Sequence, residues 1–124
     1  MKTIIYIGIG GGIGSVLRYL TNLIAGKFFN SAFPMGTFLV NCIGCLLIGL
    51  FFGYFEKNNL LSKDLKLFLI TGLCGGYTTF SAFSVENVGL IQNHQTGTAL
   101  LYTALSIIIG FTATWCGILI AAKL

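Results

Sequence analysis

Four long apolar runs separated by three short polar stretches make up almost the whole chain. Their expected bounds are residues 4–24, 35–55, 65–91 and 97–122. Each meets the ~20 residues that a helix needs to cross a ~30 Å hydrocarbon core. The third run is the longest, and a helix of that length would reach ~40 Å, an excess that tilt can absorb. Its middle reads Gly75-Gly76-Tyr77-Thr78-Thr79-Phe80-Ser81-Ala82-Phe83. In hydrocarbon every backbone N–H and C=O needs a partner, so a span loosens only where it faces protein, a cavity or an ion. Two glycines and three hydroxyls inside an apolar run therefore predict a third helix broken at mid-membrane, with the looser backbone at Gly75–Thr78.

The other runs carry their own marks. In the first, Gly8/Gly12 and Gly10/Gly14 are small-xxx-small pairs that let a second helix approach closely. No G-x-G-x-x-G register is present, so the glycines are not a dinucleotide loop. Phe28, Phe29 and Phe33 in the first connection suit an interfacial aromatic belt, and Pro34 is a start signal for the second run. Thr37 and Asn41 lie four apart, on one helical face, and so do Tyr102 and Ser106 in the fourth run. The second connection, Glu56 to Lys66, is the only strongly charged segment, and Ser62 is placed to cap the helix after it. The third connection is Gln92 to Thr96.

Composition turns four helices into a membrane protein. Of 124 residues 56% are hydrophobic and 8% charged, against the usual ~25% charged in soluble domains. The expected fold is an all-α integral membrane domain spanning residues 1–124, with the first run retained rather than cleaved as a signal peptide. The net charge of +4 comes from scattered lysines with no basic stripe, which argues against a nucleic-acid partner. Lys2, Lys57, Lys63, Lys66 and Lys123 fall on the side of the termini, with Lys27 and Arg18 toward the other, so the termini are expected inside. The expected place is a cell membrane, inner or plasma, crossed several times and bathed in lipid. One four-helix protomer has little interior for an aqueous path, so an oligomer is expected.

Three kinds of chemistry are open to such a chain. An anion leaving water needs donors, and Asn41, Thr37, Thr79, Ser81 and Ser106 supply amide and hydroxyl groups. Phe80 and Phe83, three apart, can turn ring edges, which are electropositive, toward the same ion. Carbonyls freed by an unwound third span would suit a hard cation such as Na⁺. Arg18 and Glu86 are ionisable residues within the runs, functional candidates by default and candidates to pair with each other. Cys42, Cys45, Cys74 and Cys116 all fall inside runs and read as small packing residues rather than a metal site or disulfides. His94, the one histidine, stands in a connection, and no triad, H-E-x-x-H or P-loop is present, so the chain is not expected to be an enzyme.

Three segments resemble one family in order along nearly the whole chain. They are Gly11-Gly12-Ile13-Gly14-Ser15-Val16-Leu17-Arg18-Tyr19, Pro34-Met35-Gly36-Thr37-Phe38-Leu39-Val40-Asn41, and Gly72-Leu73-Cys74-Gly75-Gly76-Tyr77-Thr78-Thr79-Phe80-Ser81-Ala82-Phe83. The family is the CrcB/Fluc fluoride channels. The resemblance implies an antiparallel, dual-topology homodimer with two fluoride pores and a central structural Na⁺ held by the backbone carbonyls of Gly75 and Thr78. It implies a phenylalanine box at Phe80 and Phe83, a pore asparagine at Asn41, a vestibule threonine at Thr37 and a conserved arginine at Arg18. The polar track would run through Thr79, Ser81, Tyr102 and Ser106, with a vestibule glutamate at Glu86. Gly110 stands one turn past Ser106, where the hydroxyl track is expected to continue. The function so implied is passive export of cytoplasmic fluoride, which lowers its toxicity. The alternative is a small multidrug-type cation/proton antiporter, a class that resembles proteins with a glutamate in the first span, which this chain lacks.

Overall fold

The structure, a computed structural model, describes residues 1–59 and 62–124. Those residues are helical almost throughout. Helix α1 covers Lys2–Phe28 and α2 covers Met35–Lys57. The third span begins as the short helix α3, Lys63–Lys66, winds into a π-helical stretch, Leu67–Cys74, and returns to α-helix as α4, Gly75–Tyr77. Helix α5 covers Phe80–Gln92 and α6 covers Thr96–Ala122. Four helical stretches, with Lys63–Gln92 counted as one, are long and apolar enough to cross a membrane.

The helices run past the expected ends of the runs, because polar residues and caps extend each helix beyond its apolar stretch. Helix α1 continues through Lys27 to Phe28, which shortens the first connection. Pro34 is the residue before α2 rather than its first turn, and its carbonyl accepts the Phe38 N–H at 3.1 Å. Ser62 caps α3, its Oγ accepting the Asp64 and Leu65 N–H groups at 3.1 and 3.4 Å. Leu60 and Leu61, in the second connection, lie outside the described residues. Between α5 and α6, His94 takes a left-handed φ of 61° and the Gln95 N–H returns to the Leu90 carbonyl at 2.8 Å, a Schellman-type stop that folds the two helices into a hairpin.

The looser backbone expected at Gly75–Thr78 falls at the last residue of that stretch and the one after it. Gly75, Gly76 and Tyr77 are helical, and the two extended residues are Thr78 (ψ 156°) and Thr79 (φ −149°, ψ 114°). The reason is a lateral bond. The Thr79 N–H donates to Asn41 Oδ1 at 2.8 Å, which takes it from the Gly75 carbonyl, its partner in a continuous α-helix. The glycines themselves serve close approach rather than unusual torsions, since no glycine among the described residues has a positive φ.

Two crossings organise the bundle. Helix α1 lies against Leu67–Tyr77, where a Cβ on Gly10 would meet the Phe68 carbonyl and one on Gly76 would meet Gly11 backbone. Helix α2 packs along α6, with Gly49 against Thr114, Gly53 against Ile118 and Ala121, and Gly117 against Leu46 and Leu50. Lipid tails are as apolar as leucine, so close packing and polar contacts, not burial of oil, must hold such helices together. The distribution of side chains agrees: Tyr102, Val40 and Cys74 are the largest fully buried side chains, while Ile4, Val16, Phe111, Trp115 and many other apolar residues face outward.

Candidate functional site

Thr37, Asn41, Thr79, Glu86 and Tyr102 gather in the cleft where α2 meets α5 and α6. Asn41 clasps the extended corner from α2. Its Nδ2 donates to the Thr79 carbonyl at 3.1 Å while its Oδ1 accepts the Thr79 N–H. An amide side chain thus replaces the helical ladder at one residue, with donor matched to acceptor on both sides. Thr79 in turn starts α5: its Oγ1 accepts the Ala82 N–H at 3.1 Å and lies 3.2 Å from Ser81 Oγ. Just before the corner, Thr78 Oγ1 donates back to the Cys74 carbonyl at 2.9 Å.

One turn earlier on α2, Thr37 makes a second cluster. Glu86 accepts the Thr37 hydroxyl on Oε2 at 2.7 Å and the Tyr102 hydroxyl on Oε1 at 2.8 Å. Tyr102 is fully buried, and its ring packs against Phe33 and Phe83 at centroid distances of 5.2 and 5.0 Å. The carboxylate therefore sits among hydroxyl donors, and no ion pair joins it to Arg18 among the described residues. Arg18 belongs to α1, outside this cleft, where its carbonyl accepts the Asn22 amide at 3.2 Å.

Between Asn41 and Ser106 lies a cavity of about 350 Å³ whose wall includes Thr79, Phe80, Phe83 and Gly110. The rings of Phe80 and Phe83 are 5.8 Å apart and inclined at 43°. Phe80 is 79% exposed, so this wall is open on its outer side. Ser106 Oγ is buried and has no hydrogen-bond partner among the described residues, which is unusual for a buried hydroxyl. Of the residues singled out from sequence, Thr37, Asn41, Thr79, Phe80, Ser81, Phe83, Glu86, Tyr102 and Ser106 come together here; Gly75 and Thr78 sit at the adjoining corner, and Arg18 stands apart.

Several polar partners are not evident in the sequence alone. Thr103 Oγ1 donates to Asn87 Oδ1 at 3.1 Å, one residue along from the Tyr102–Glu86 bond. Both pairs are 16 residues apart, so the register of the α5–α6 hairpin was the signal that would have linked them. Tyr77 OH lies 2.9 Å from Thr21 Oγ1, whose own proton goes to the Leu17 carbonyl, making the tyrosine the donor. Thr114 Oγ1 donates to the Cys45 carbonyl at 3.1 Å.

These features define a small helical membrane protein of four spans with a polar, aromatic-walled cleft beside an extended corner. Residues 5–118 match the family described as CrcB-like protein, Camphor Resistance (CrcB). A relative from Flavobacterium psychrophilum is 61% identical over 124 residues, covering 100% of both chains. Others from Azobacteroides pseudotrichonymphae and Bacteroides fragilis are 47% identical, each match covering 94% of both chains. All three bear the name Fluoride-specific ion channel FluC. The chain belongs to the CrcB-like family.

Proposed function

We propose that this chain is a passive, fluoride-selective channel of the cell's inner or plasma membrane, not an enzyme, which lets cytoplasmic fluoride out and so lowers its toxicity. The names of its close relatives supply the ion. The observation that carries the path is the cavity beside Asn41, where a buried Ser106 hydroxyl is left without a partner. A small anion gives up strongly held water only if donors replace it, and they must hold it weakly enough to let it go. The second Nδ2 hydrogen of Asn41, the Ser106 hydroxyl, the Thr79–Ser81 pair and the edges of Phe80 and Phe83 are donors of that kind. Glu86 has each oxygen engaged by a hydroxyl, so Thr37 and Tyr102 blunt the one carboxylate in the cleft. The antiporter reading gains no support from the relatives.

On this reading the working unit is an antiparallel, dual-topology homodimer, and the open outer side of the cavity is where the second copy closes each of two pores. The third span is then broken at mid-depth, at Thr78–Thr79. A two-fold axis in the membrane plane would bring this corner to its mate. The residues fit a structural Na⁺ there: the Gly75 carbonyl has lost its helical N–H to Asn41, and Thr78 ends the helix. Bound Na⁺ would supply a hard positive charge that favours the dimer by linkage. Arg18 would serve architecture rather than the pore.

Reconstitution in liposomes tests the proposal. Fluoride efflux read by an ion-selective electrode is expected without matching chloride efflux. Equal passage of both anions, or proton-driven cation uptake with no fluoride flux, would overturn it. Phe80→Ile and Asn41→Asp are expected to slow fluoride greatly, the first by removing a ring edge and the second by removing an N–H donor.

A further inference from the structure

The cavity wall holds more polar groups than its internal bonds consume. Thr78 spends its hydroxyl proton on the Cys74 carbonyl, and Asn41 is shared with both backbone groups of Thr79. Thr79 Oγ1 accepts the Ala82 N–H and pairs with Ser81, outside the wall, and two further side chains on this wall have no side-chain bond among the described residues: Ser106, whose oxygen is buried and unpartnered, and Cys45. They occupy neighbouring levels. Gly110 is one turn beyond Ser106 on α6, and a Cβ built there would lie 3.5 Å from Cys45 Sγ. At position 110 helix α6 thus places no side chain opposite the Cys45 thiol. The bond from Thr114 to the Cys45 carbonyl ties the backbone of this cysteine to α6.

We propose that Cys45 is a wall residue of the permeation path, its S–H joining the Ser106 O–H as a donor to the passing anion at the level of Gly110. This rests on the channel reading above. A thiol is a weak donor, suited to a path in which an anion must be released as readily as it is taken. The other three cysteines are placed differently: Cys42, half-buried on α2, does not line this cavity, Cys74 is buried against the α1 side of the third span and Cys116 is exposed on α6.

Methyl methanethiosulfonate applied to the reconstituted full chain tests this. The thiolate attacks the reagent's sulfenyl sulfur, forming a methyl disulfide and releasing methanesulfinate, so the wall at Cys45 gains one thiomethyl group. Two readouts are taken together, fluoride efflux and the labelling of each cysteine by peptide mass. The wild type is expected to lose most of its flux as Cys45 is labelled, Cys116→Ser to respond like the wild type, and Cys45→Ser or Cys45→Ala not to respond. Labelling of Cys45 with undiminished flux would overturn the proposal. So would a Cys45 that stays unlabelled while Cys116 reacts fully. A wild type that carries no fluoride before treatment defeats the channel reading instead, and the accessibility of Cys45 is then judged by labelling alone.

Discussion

Where α1 crosses Leu67–Tyr77, glycine meets backbone; where the first half of α2 faces α5 and Tyr102 of α6, two hydroxyls meet a carboxylate and an amide side chain meets the backbone of the corner. In the first contact Gly10, Gly14, Gly72 and Gly76 leave no room for a single added carbon. In the second, Thr37 and Tyr102 donate to Glu86, Asn41 bonds both backbone groups of Thr79, and a cavity remains. The difference is one of tolerance. A seam of backbone against backbone is rigid because nothing in it can change rotamer. A seam of side chains holds its place while keeping donors to spare, which is what an ion path needs.

Substitutions can break that comparison, beginning with the seam that has no slack. A Cβ at position 14 would run into the Leu73 carbonyl and the backbone of Gly76 and Tyr77. Gly14→Ala is therefore expected to cost ~3 kcal/mol or to prevent folding, read by thermal unfolding in detergent. A near-neutral result would show that the seam can slide.

Next is the polar seam. Asn41→Ala leaves the Thr79 N–H and carbonyl without partners, at a cost of ~2 kcal/mol, and on the channel reading also removes a proposed pore donor. Fluoride flux should fall more than stability does. Equal stability with normal flux would show that the corner holds itself without Asn41.

Tyr77→Phe removes only the hydroxyl that bonds Thr21 across α1. It should lower the unfolding free energy by ~1 kcal/mol. A much larger loss would mean that the glycine seam depends on this one polar pin.

The smallest change sharpens the comparison by sign. Gly8 has open space around its missing Cβ, so Gly8→Ala should stabilise helix α1 slightly, by at most ~1 kcal/mol. Destabilisation in the assembled protein would show that the outer face of α1 is packed against another helix after all.

Much of this was legible in the residues, and the exceptions are instructive. The four apolar runs announce four spans because bilayer thickness demands that length. Thr37 with Asn41, and Tyr102 with Ser106, could be assigned to shared faces from their spacing of four. The first run held two equally good glycine pairs, yet only Gly10 and Gly14 meet the third span while Gly8 and Gly12 face open space. Which pair is used depends on the rotation of α1, and that is set by its neighbour. The glycines of Gly75-Gly76 drew attention to the corner, but they remain helical; the corner falls two residues on because Asn41, 38 positions away in sequence, captures the Thr79 N–H. Glu86 and Arg18 looked like possible partners as two charges in apolar runs. The carboxylate went instead to Thr37 and Tyr102, on the helices that pack beside it.

Four membrane-length helices, an interruption of glycines and hydroxyls in the third of them and, through three motifs in order, the resemblance to one family can all be read from the residues alone. Hydrophobic length and local spacing are properties of neighbours along the chain, so they can be read from it. Which glycines seal the seams, where the backbone turns extended, and which hydroxyl among the described residues is left unpartnered at the cavity emerge only in the folded chain. Those outcomes follow from competition for hydrogen-bond partners and for space between residues far apart in the chain, and only folding brings the competitors together.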